Sequence, residues 1–385
     1  MKVAVATGTR ADFGLLRPLI QELKNDDFFT TSLWVTAMHL SDRFGNTINE
    51  IINSGFKIDY SFPCLDEGDD SLAISRTISM AIEGFSKIIN EDSPDFLVIL
   101  GDRTEILGAA IAATVANLPI IHIHGGETTI GAYDESIRHS ITKMSYLHFT
   151  AASEYRDRVI QLGEHPNRVF DVGAIGIDSI KSLPLMSDKE LEDDLNFKFD
   201  KKNILITYHP VTLESSSAAK QFEAILKALD ELEDTFLIFT HANSDKDGKI
   251  INEMIDEYTL LNNSKSLGVK SLGQLRYFSM LENVDLVLGN SSSGILEVPY
   301  FNIPTINIGD RQTGRLLSES VIQCANELED IKKALKTGLD DAFAKAIKSQ
   351  THIYGNGTAT QQIIKVLKNI TTTSLKKPFY DLPKL

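Results

Sequence analysis

Asp134, Glu135, Arg138 and His139 fall within six residues of one another in the segment 121–143, IHIHGGETTIGAYDESIRHSITK. The segment starts as an apolar strand and runs into two glycines and a carboxylate, Glu127. Upstream, the apolar run Phe96–Leu100 ends in Gly101-Asp102-Arg103. Acidic and basic groups therefore gather at the ends of two consecutive strands. That grouping suits proton transfer beside an anionic leaving group, so the first expectation is an enzyme.

The stretch between Asp102 and Glu127 has room for one helix and one returning strand, a single crossover. A right-handed crossover puts both carboxylates beyond the carboxyl ends of strands in one sheet. Adjacent strands lie about 4.8 Å apart, so the two groups can share a pocket. This is also the edge at which open α/β sheets bind ligands. The plain alternative is that Asp102 caps the next helix and Glu127 is a solvated loop residue. In DESIRH, Asp134 reads as an N-cap or first-turn acid. Glu135, Arg138 and His139 follow at helical spacing and share a face. An ordinary charged helix start accounts for any one of them, and less well for all four behind a Gly-Gly strand end.

Other strand ends add groups suited to anions. Gly8-Thr9-Arg10 closes the first strand, where Arg10 can pair with phosphate. Asn290-Ser291-Ser292-Ser293-Gly294 opens a helix carrying Glu297, and hydroxyls with N–H groups at a helix start can bind phosphate. Simple serine capping explains one hydroxyl of the three. Glu297 reads equally as a ribose-diol ligand or a capping-box partner. Arg311 and Arg315 flank a short loop able to clamp anions. His209 and His241 end neighbouring strands, where a structural role is the commoner one. His122 and His124 alternate on one strand face, but no third ligand is spaced for zinc, and no metal is expected. Neither GxGxxG nor GxxxxGK[ST] occurs, which removes the dinucleotide fingerprint and the P-loop.

Strands must hold these groups. Short apolar runs alternate with helical patterns, which predicts parallel βαβ units. Strands are expected at Val3–Thr7, Thr31–Ala37, Phe96–Leu100, Pro119–His124, Leu147–Thr150 and Arg168–Val172. A second alternation begins at Asn203, with strands at Ile204–Tyr208, Thr235–Thr240, Val284–Gly289 and Thr305–Ile308 and a helix at Gly294–Tyr300. The polar stretch Asp178–Asp200 is read as the connection. Two Rossmann-like α/β domains follow, residues 1–180 with the acid/base carboxylates and residues 201–365. Residues 366–385 form a C-terminal extension.

Composition narrows the class. The 385 residues are 42% hydrophobic and 24% charged, as in a globular protein with room for two cores. No apolar run approaches the roughly 18–20 residues of a membrane span, and the N-terminus reads as a strand rather than a leader. A net charge of −15 argues against nucleic-acid or anionic-membrane partners. Cys64 and Cys324 match no metal or redox spacing and are expected as reduced thiols in a cytoplasmic protein.

The motifs GTRADFG, LGDR, HIHGGE, YDESIRHSITKMS, GNSSSGILEVP and INIGDRQTGR run in order from Lys2 to about Gly314. Together they resemble the hydrolysing UDP-N-acetylglucosamine 2-epimerases of bacterial sialic-acid biosynthesis. The resemblance implies a glycosyltransferase B-type fold, two Rossmann-like domains facing a cleft, with UDP held mainly by the second. It implies cleavage of UDP-N-acetylglucosamine to UDP and N-acetylmannosamine, without a cofactor, by a homodimer or homotetramer. It implies catalytic roles for Asp102, Glu127, Asp134 and His209, with Glu135 contending with Asp134. Substrate and UDP would meet Arg10, Arg103, Arg138, His209, Asn243, Arg276, Ser291, Ser292, Ser293, Gly294, Glu297 and Arg315. Relatives acting on a 2,4-diacetamido-trideoxy sugar share these motifs, and a UDP-sugar glycosyltransferase with the same fold and UDP grip is the other alternative. A non-catalytic nucleotide-sugar sensor is disfavoured, because UDP affinity gains nothing from three nearby negative charges.

Overall fold

In the computed structural model the described residues are 1–68, 70–128, 133–210, 218–242, 248–370 and 376–383. The chain divides into two compact units, Met1–Ser182 with Tyr354–Leu385, and Leu183–Ile353.

The first unit begins β1 (Lys2–Thr7), α1 (Arg10–Asn25), β2 (Thr30–Thr36), α2 (Ile48–Asn53), β3 (Tyr60–Phe62) and α3 (Ser71–Asp92). It continues β4 (Phe96–Leu100), α4 (Thr104–Val115), β5 (Ile120–Ile123), α5 (Asp134–Met144), β6 (Leu147–Thr150), α6 (Ser153–Gln161), β7 (Val169–Asp171) and α7 (Ile175–Ser182). Its strands form a seven-stranded sheet, ordered β3-β2-β1-β4-β5-β6-β7. Every pairing is parallel. Both faces are covered, so the strands are apolar throughout rather than alternating. Val3, Val5, Phe96 and Val98 face one core with Leu16, Leu19 and Ile20 of α1. Ala4, Ala6, Leu97 and Ile99 face the other, with Phe85 of α3 and Ala109 and Ala113 of α4. Small residues let α3 and α4 approach closely: a Cβ on Gly108 would sit 2.5 Å from that of Ala81.

The second unit holds α8 (Asp188–Leu195), β8 (Lys202–Thr207), α9 (Ala218–Asp230), β9 (Thr235–Thr240), α10 (Gly248–Leu261), β10 (Ser266–Val269) and α11 (Gly273–Leu281). Then come β11 (Leu286–Gly289), α12 (Ser293–Leu296), β12 (Thr305–Ile308), β13 (Val321–Cys324), α13 (Leu328–Gly338) and α14 (Asp341–Ala346). Its parallel sheet is ordered β10-β9-β8-β11-β12-β13. Ile204, Ile206, Leu286 and Leu288 pack there against Phe222 and Ile225 of α9 and Ile331 of α13. The two Rossmann-like α/β halves expected from the alternation are both present.

Three sequence expectations change. The connection is shorter than Asp178–Asp200, because α7 packs on α1 and α8 on α11. The helix expected at Gly294–Tyr300 is one α-turn, α12, followed by a 3-10 turn at Val298–Phe301. Pro299 is the reason, since it lacks the N–H that the next α-helical turn needs. The last helix, α15 (Ala359–Lys368), belongs to the first unit rather than to a domain spanning 201–365. Ala359, Ile363 and Leu367 complete the core around α1. Asp178 accepts from the N–H groups of Ala359 (3.1 Å) and Thr360 (2.5 Å), fixing the helix start.

Residues 376–383 also dock on the first unit. Lys377 Nζ donates to the carbonyl oxygens of Lys143 and Ser145, both 2.7 Å, at the C-terminal end of α5. It also meets the buried Glu164, which His148 (3.1 Å) and Lys143 (2.5 Å) contact as well. Burial alone would raise the Glu164 carboxyl; these three partners outweigh it and hold the group down at about 2. Cys64 and Cys324 are free and buried. Among the described residues, no helix is long and apolar enough to cross a membrane.

Candidate active site

In the first sheet the strand order reverses between β1 and β4, and in the second between β8 and β11. Crevices at such switch points are where open α/β sheets take ligands. In the first unit the switch is flanked by Gly8-Thr9-Arg10 after β1 and Gly101-Asp102-Arg103 after β4. The β5 extension, His124 to Glu127, lies next to it. Gly126 turns with φ +82°, and a Cβ there would meet the Tyr155 carbonyl oxygen at 2.3 Å, so only glycine fits.

Arg138, on the second turn of α5 and 5% exposed, gathers the acids. Its Nη2 is ion-paired with Asp102 Oδ2. Its Nη1 donates to Glu135 Oε2 at 3.2 Å and to the Glu127 carbonyl oxygen at 2.8 Å. Glu135 also meets His139 Nε2 at 3.1 Å, so the shared helix face read from DESIRH is present. Arg138 thus organises carboxylates, using the planar fork that suits them. Asp134 opens α5, where burial, and then the negative charge of Asp102, push its carboxyl up against the opposing pull of Arg138. A carboxyl raised in this way is suited to proton transfer.

Two histidines brace the strand ends. His122, fully buried, has Nε2 2.8 Å from the Gly101 carbonyl oxygen and Nδ1 3.3 Å from Thr142 Oγ1 on α5. Burial lowers it to about 3, so the ring is neutral and ties β4, β5 and α5 together. His124 contacts Glu127 at 3.1 Å. Among the described residues no three His, Cys, Asp or Glu side chains come together as a metal set.

Asp12 and Glu105 escaped the sequence reading. Thr9 caps α1 and accepts from the Asp12 N–H at 3.2 Å. The Thr9-x-x-Asp12 spacing, a capping-box pattern, was the available signal. Asp12 is 8% exposed, its Oδ2 has no hydrogen-bond partner among the described residues, and burial pushes it up to about 7. Glu105, fully buried, receives Arg103 Nε at 2.6 Å and lies where a Gly8 Cβ would be. Arg103 is therefore committed to Glu105.

In the second unit Asn290, fully buried, stitches the switch point. Its Oδ1 accepts from the His209 N–H and its Nδ2 donates to the His209 carbonyl oxygen, each at 2.7 Å. Its own carbonyl oxygen accepts from Arg311 Nη1 and Gln312 Nε2, both 2.9 Å. One residue thus fixes the β8 end, the β11 end and the 311–315 loop. Arg315 Nη1 is enclosed yet has no hydrogen-bond partner among the described residues. A guanidinium N–H left so is costly without an acceptor, and an anion supplies one.

The serine loop is less uniform than its sequence. Ser291 Oγ accepts from the Ser293 N–H at 3.4 Å, and Ser292 makes no side-chain cap. Ser293 turns inward, its Oγ 2.7 Å from Tyr277 Oη and donating to Glu297 Oε2. Glu297 is thereby engaged, and burial raises its carboxyl. Gly294 serves packing: a Cβ there would meet Thr305 at 2.9 Å. With α12 only four residues long, the helix dipole adds little and the donors are N–H groups and hydroxyls. Two expected ligands make exposed ion pairs: Arg10 with Glu50 at 3.0 Å, and Arg276 with Asp194 at 2.5 and 3.2 Å. Asn243 lies outside the described residues.

Known proteins agree with the motifs. Residues 21–368 match the family model described as UDP-N-acetylglucosamine 2-epimerase. A hydrolysing GDP/UDP-N,N'-diacetylbacillosamine 2-epimerase of Campylobacter jejuni is 41% identical over 383 residues, 99% of each chain. A hydrolysing UDP-N,N'-diacetylbacillosamine 2-epimerase of Legionella pneumophila is 36% identical over 369 residues, 96% of each. The fold matches the UDP-GlcNAc 2-epimerase of Neisseria meningitidis, solved with UDP-GlcNAc bound, with a TM-score of 0.76 at 18% identity over 96% of this chain and 100% of that one. With its α/β sheets and the motifs at their switch points, the chain belongs to the UDP-N-acetylglucosamine 2-epimerase family of enzymes.

Proposed function

We propose that this enzyme is a hydrolysing 2-epimerase of a UDP-2,4-diacetamido-2,4,6-trideoxyhexose, releasing UDP and the free sugar inverted at C2. The observation that carries this reading is the near full-length likeness to two hydrolysing enzymes named for UDP-N,N'-diacetylbacillosamine. It shifts the substrate from the first expectation, UDP-N-acetylglucosamine giving N-acetylmannosamine. That sugar stays the second reading, favoured by the description of the matching family.

The chemistry follows from charge. A C2 proton is very weakly acidic, so its removal must be coupled to departure of UDP from C1, where charge grows on the diphosphate. Arg315, with its unsatisfied N–H, and the Ser291–Ser292 loop are suited to that charge. Asp102, Glu127 and Asp134 are the candidate proton-transfer groups, with Glu135 an alternative to Asp134. Asp102 is ion-paired with Arg138, while burial pushes Asp134 toward holding its proton. Anti elimination gives a glycal, and addition of water to it gives the product.

Two measurements test this. In D2O, the product must carry deuterium at C2 by NMR; unlabelled product rules out the elimination. Steady-state kinetics with both UDP-sugars decide the substrate. A higher kcat/KM for UDP-N-acetylglucosamine returns the assignment to the second reading.

A further inference from the structure

His124 follows β5 and adopts φ +65°, the left-handed region that non-glycine residues avoid. Such conformations persist where the surroundings impose them, often at functional sites. Both ring nitrogens lie close to a partner. The N–H of Ile175, first residue of α7, donates to Nε2 at 3.3 Å. A backbone amide only donates, so Nε2 carries its lone pair and the ring's hydrogen sits on Nδ1. Nδ1 lies 3.1 Å from Glu127 Oε1, with the two side chains 12% and 10% exposed. The contact is within hydrogen-bond distance, although its alignment falls short of a complete bond. Contacts of this kind in unliganded sites commonly tighten when substrate binds.

We propose that His124 is a positioning residue for the carboxylate of Glu127, with the α7 amide selecting the tautomer that points a donor at it. Arg138 holds the Glu127 backbone through its carbonyl oxygen, and His124 holds its side chain. The proposal rests on Glu127 being a proton-transfer group of the 2-epimerase reaction. A histidine serving only to join β5 to α7 would need the Nε2 contact and not the Nδ1 donor.

Two substitutions separate these roles. His124→Asn tolerates the left-handed backbone and keeps an N–H donor near the Nδ1 position. His124→Gln places its amide near the Nε2 position and loses that donor. Asn is expected to keep kcat within about 5-fold, whereas Gln loses about 10²-fold in kcat with KM and UDP affinity little changed. Equal activity of the Asn and Gln variants overturns the proposal. Histidine ¹⁵N NMR of the wild type gives a check that needs no variant: a proton on Nε2 of His124 also overturns it. If Glu127→Gln alone turns over normally, the underlying assignment of Glu127 fails. If that variant is dead while His124→Gln is active, only the role of His124 fails.

Discussion

The carboxamide of Asn290 satisfies both backbone polar groups of His209, N–H and carbonyl, at 2.7 Å each. One side chain therefore sets the spacing of two strand ends at the switch point of the second sheet. Asn290→Ala leaves those buried groups unpaired, at a cost of roughly 1–3 kcal/mol in stability. It also loosens the loop that Arg311 and Gln312 anchor on the same residue. Calorimetry is expected to show UDP affinity reduced about 10-fold or more, the equivalent of ~1.4 kcal/mol. Unchanged affinity would detach this loop from nucleotide binding.

Glu127→Gln and Arg315→Ala should fail in different ways. The first is expected to abolish hydrolysis and leave UDP affinity within a few-fold, because the amide keeps the shape but cannot exchange the proton. The second removes an enclosed guanidinium and should weaken UDP binding, read by titration calorimetry. Unaltered UDP affinity in Arg315→Ala contradicts its assignment as an anion clamp.

Asp12 makes stability depend on pH in an unusual direction. Its folded carboxyl lies at about 7, above the ordinary carboxylate value of about 3.9, so the native state keeps a proton that the unfolded chain releases. Wild-type stability should therefore fall as pH rises between those values. Asp12→Asn does not titrate, and its stability relative to wild type should improve from pH 4 to pH 8, by up to about 3 kcal/mol. Denaturant unfolding at the two pH values measures this; a pH-independent difference refutes it.

Glu164 has the opposite sign. Its carboxyl is held at about 2, so its contribution is present above the unfolded value of about 4.3 and is lost as pH falls toward 2. Glu164→Gln removes the counter-charge of Lys143 and Lys377 and should cost roughly 3 kcal/mol at pH 7. The gap to wild type should shrink in acid. Hydrogen exchange should rise in residues 376–383, and unchanged protection there would separate Glu164 from the docking of this segment.

The inner strands were legible as short apolar runs, which parallel sheets covered on both faces produce, whereas β3 (YSF), β10 (SLGV) and β13 (VIQC), three- or four-residue edge strands, were not. Helix α15 was assigned to the wrong half because its partners, Leu16 and Leu19 among them, lie more than three hundred residues away in sequence. The face shared by Glu135, Arg138 and His139 was readable because all three sit on one helix. The ion pairs of Arg276 with Asp194, 82 residues distant, and of Arg10 with Glu50 were not, since charge alone does not name a partner. In sequence His124 only alternates with His122 on one strand face, with no role assigned to it. Its contact with the α7 amide lies 51 residues on and is not visible in the sequence.

Because α15 supplies Ala359, Ile363 and Leu367 to the first core, the stretch 183–353 is in effect an insertion into that unit. On the ribosome the inserted stretch is contiguous and can close its own core while the flanking unit still lacks a wall. A nascent chain halted before residue 359 would carry a finished second half and a first half with the apolar side of α1 bare to water.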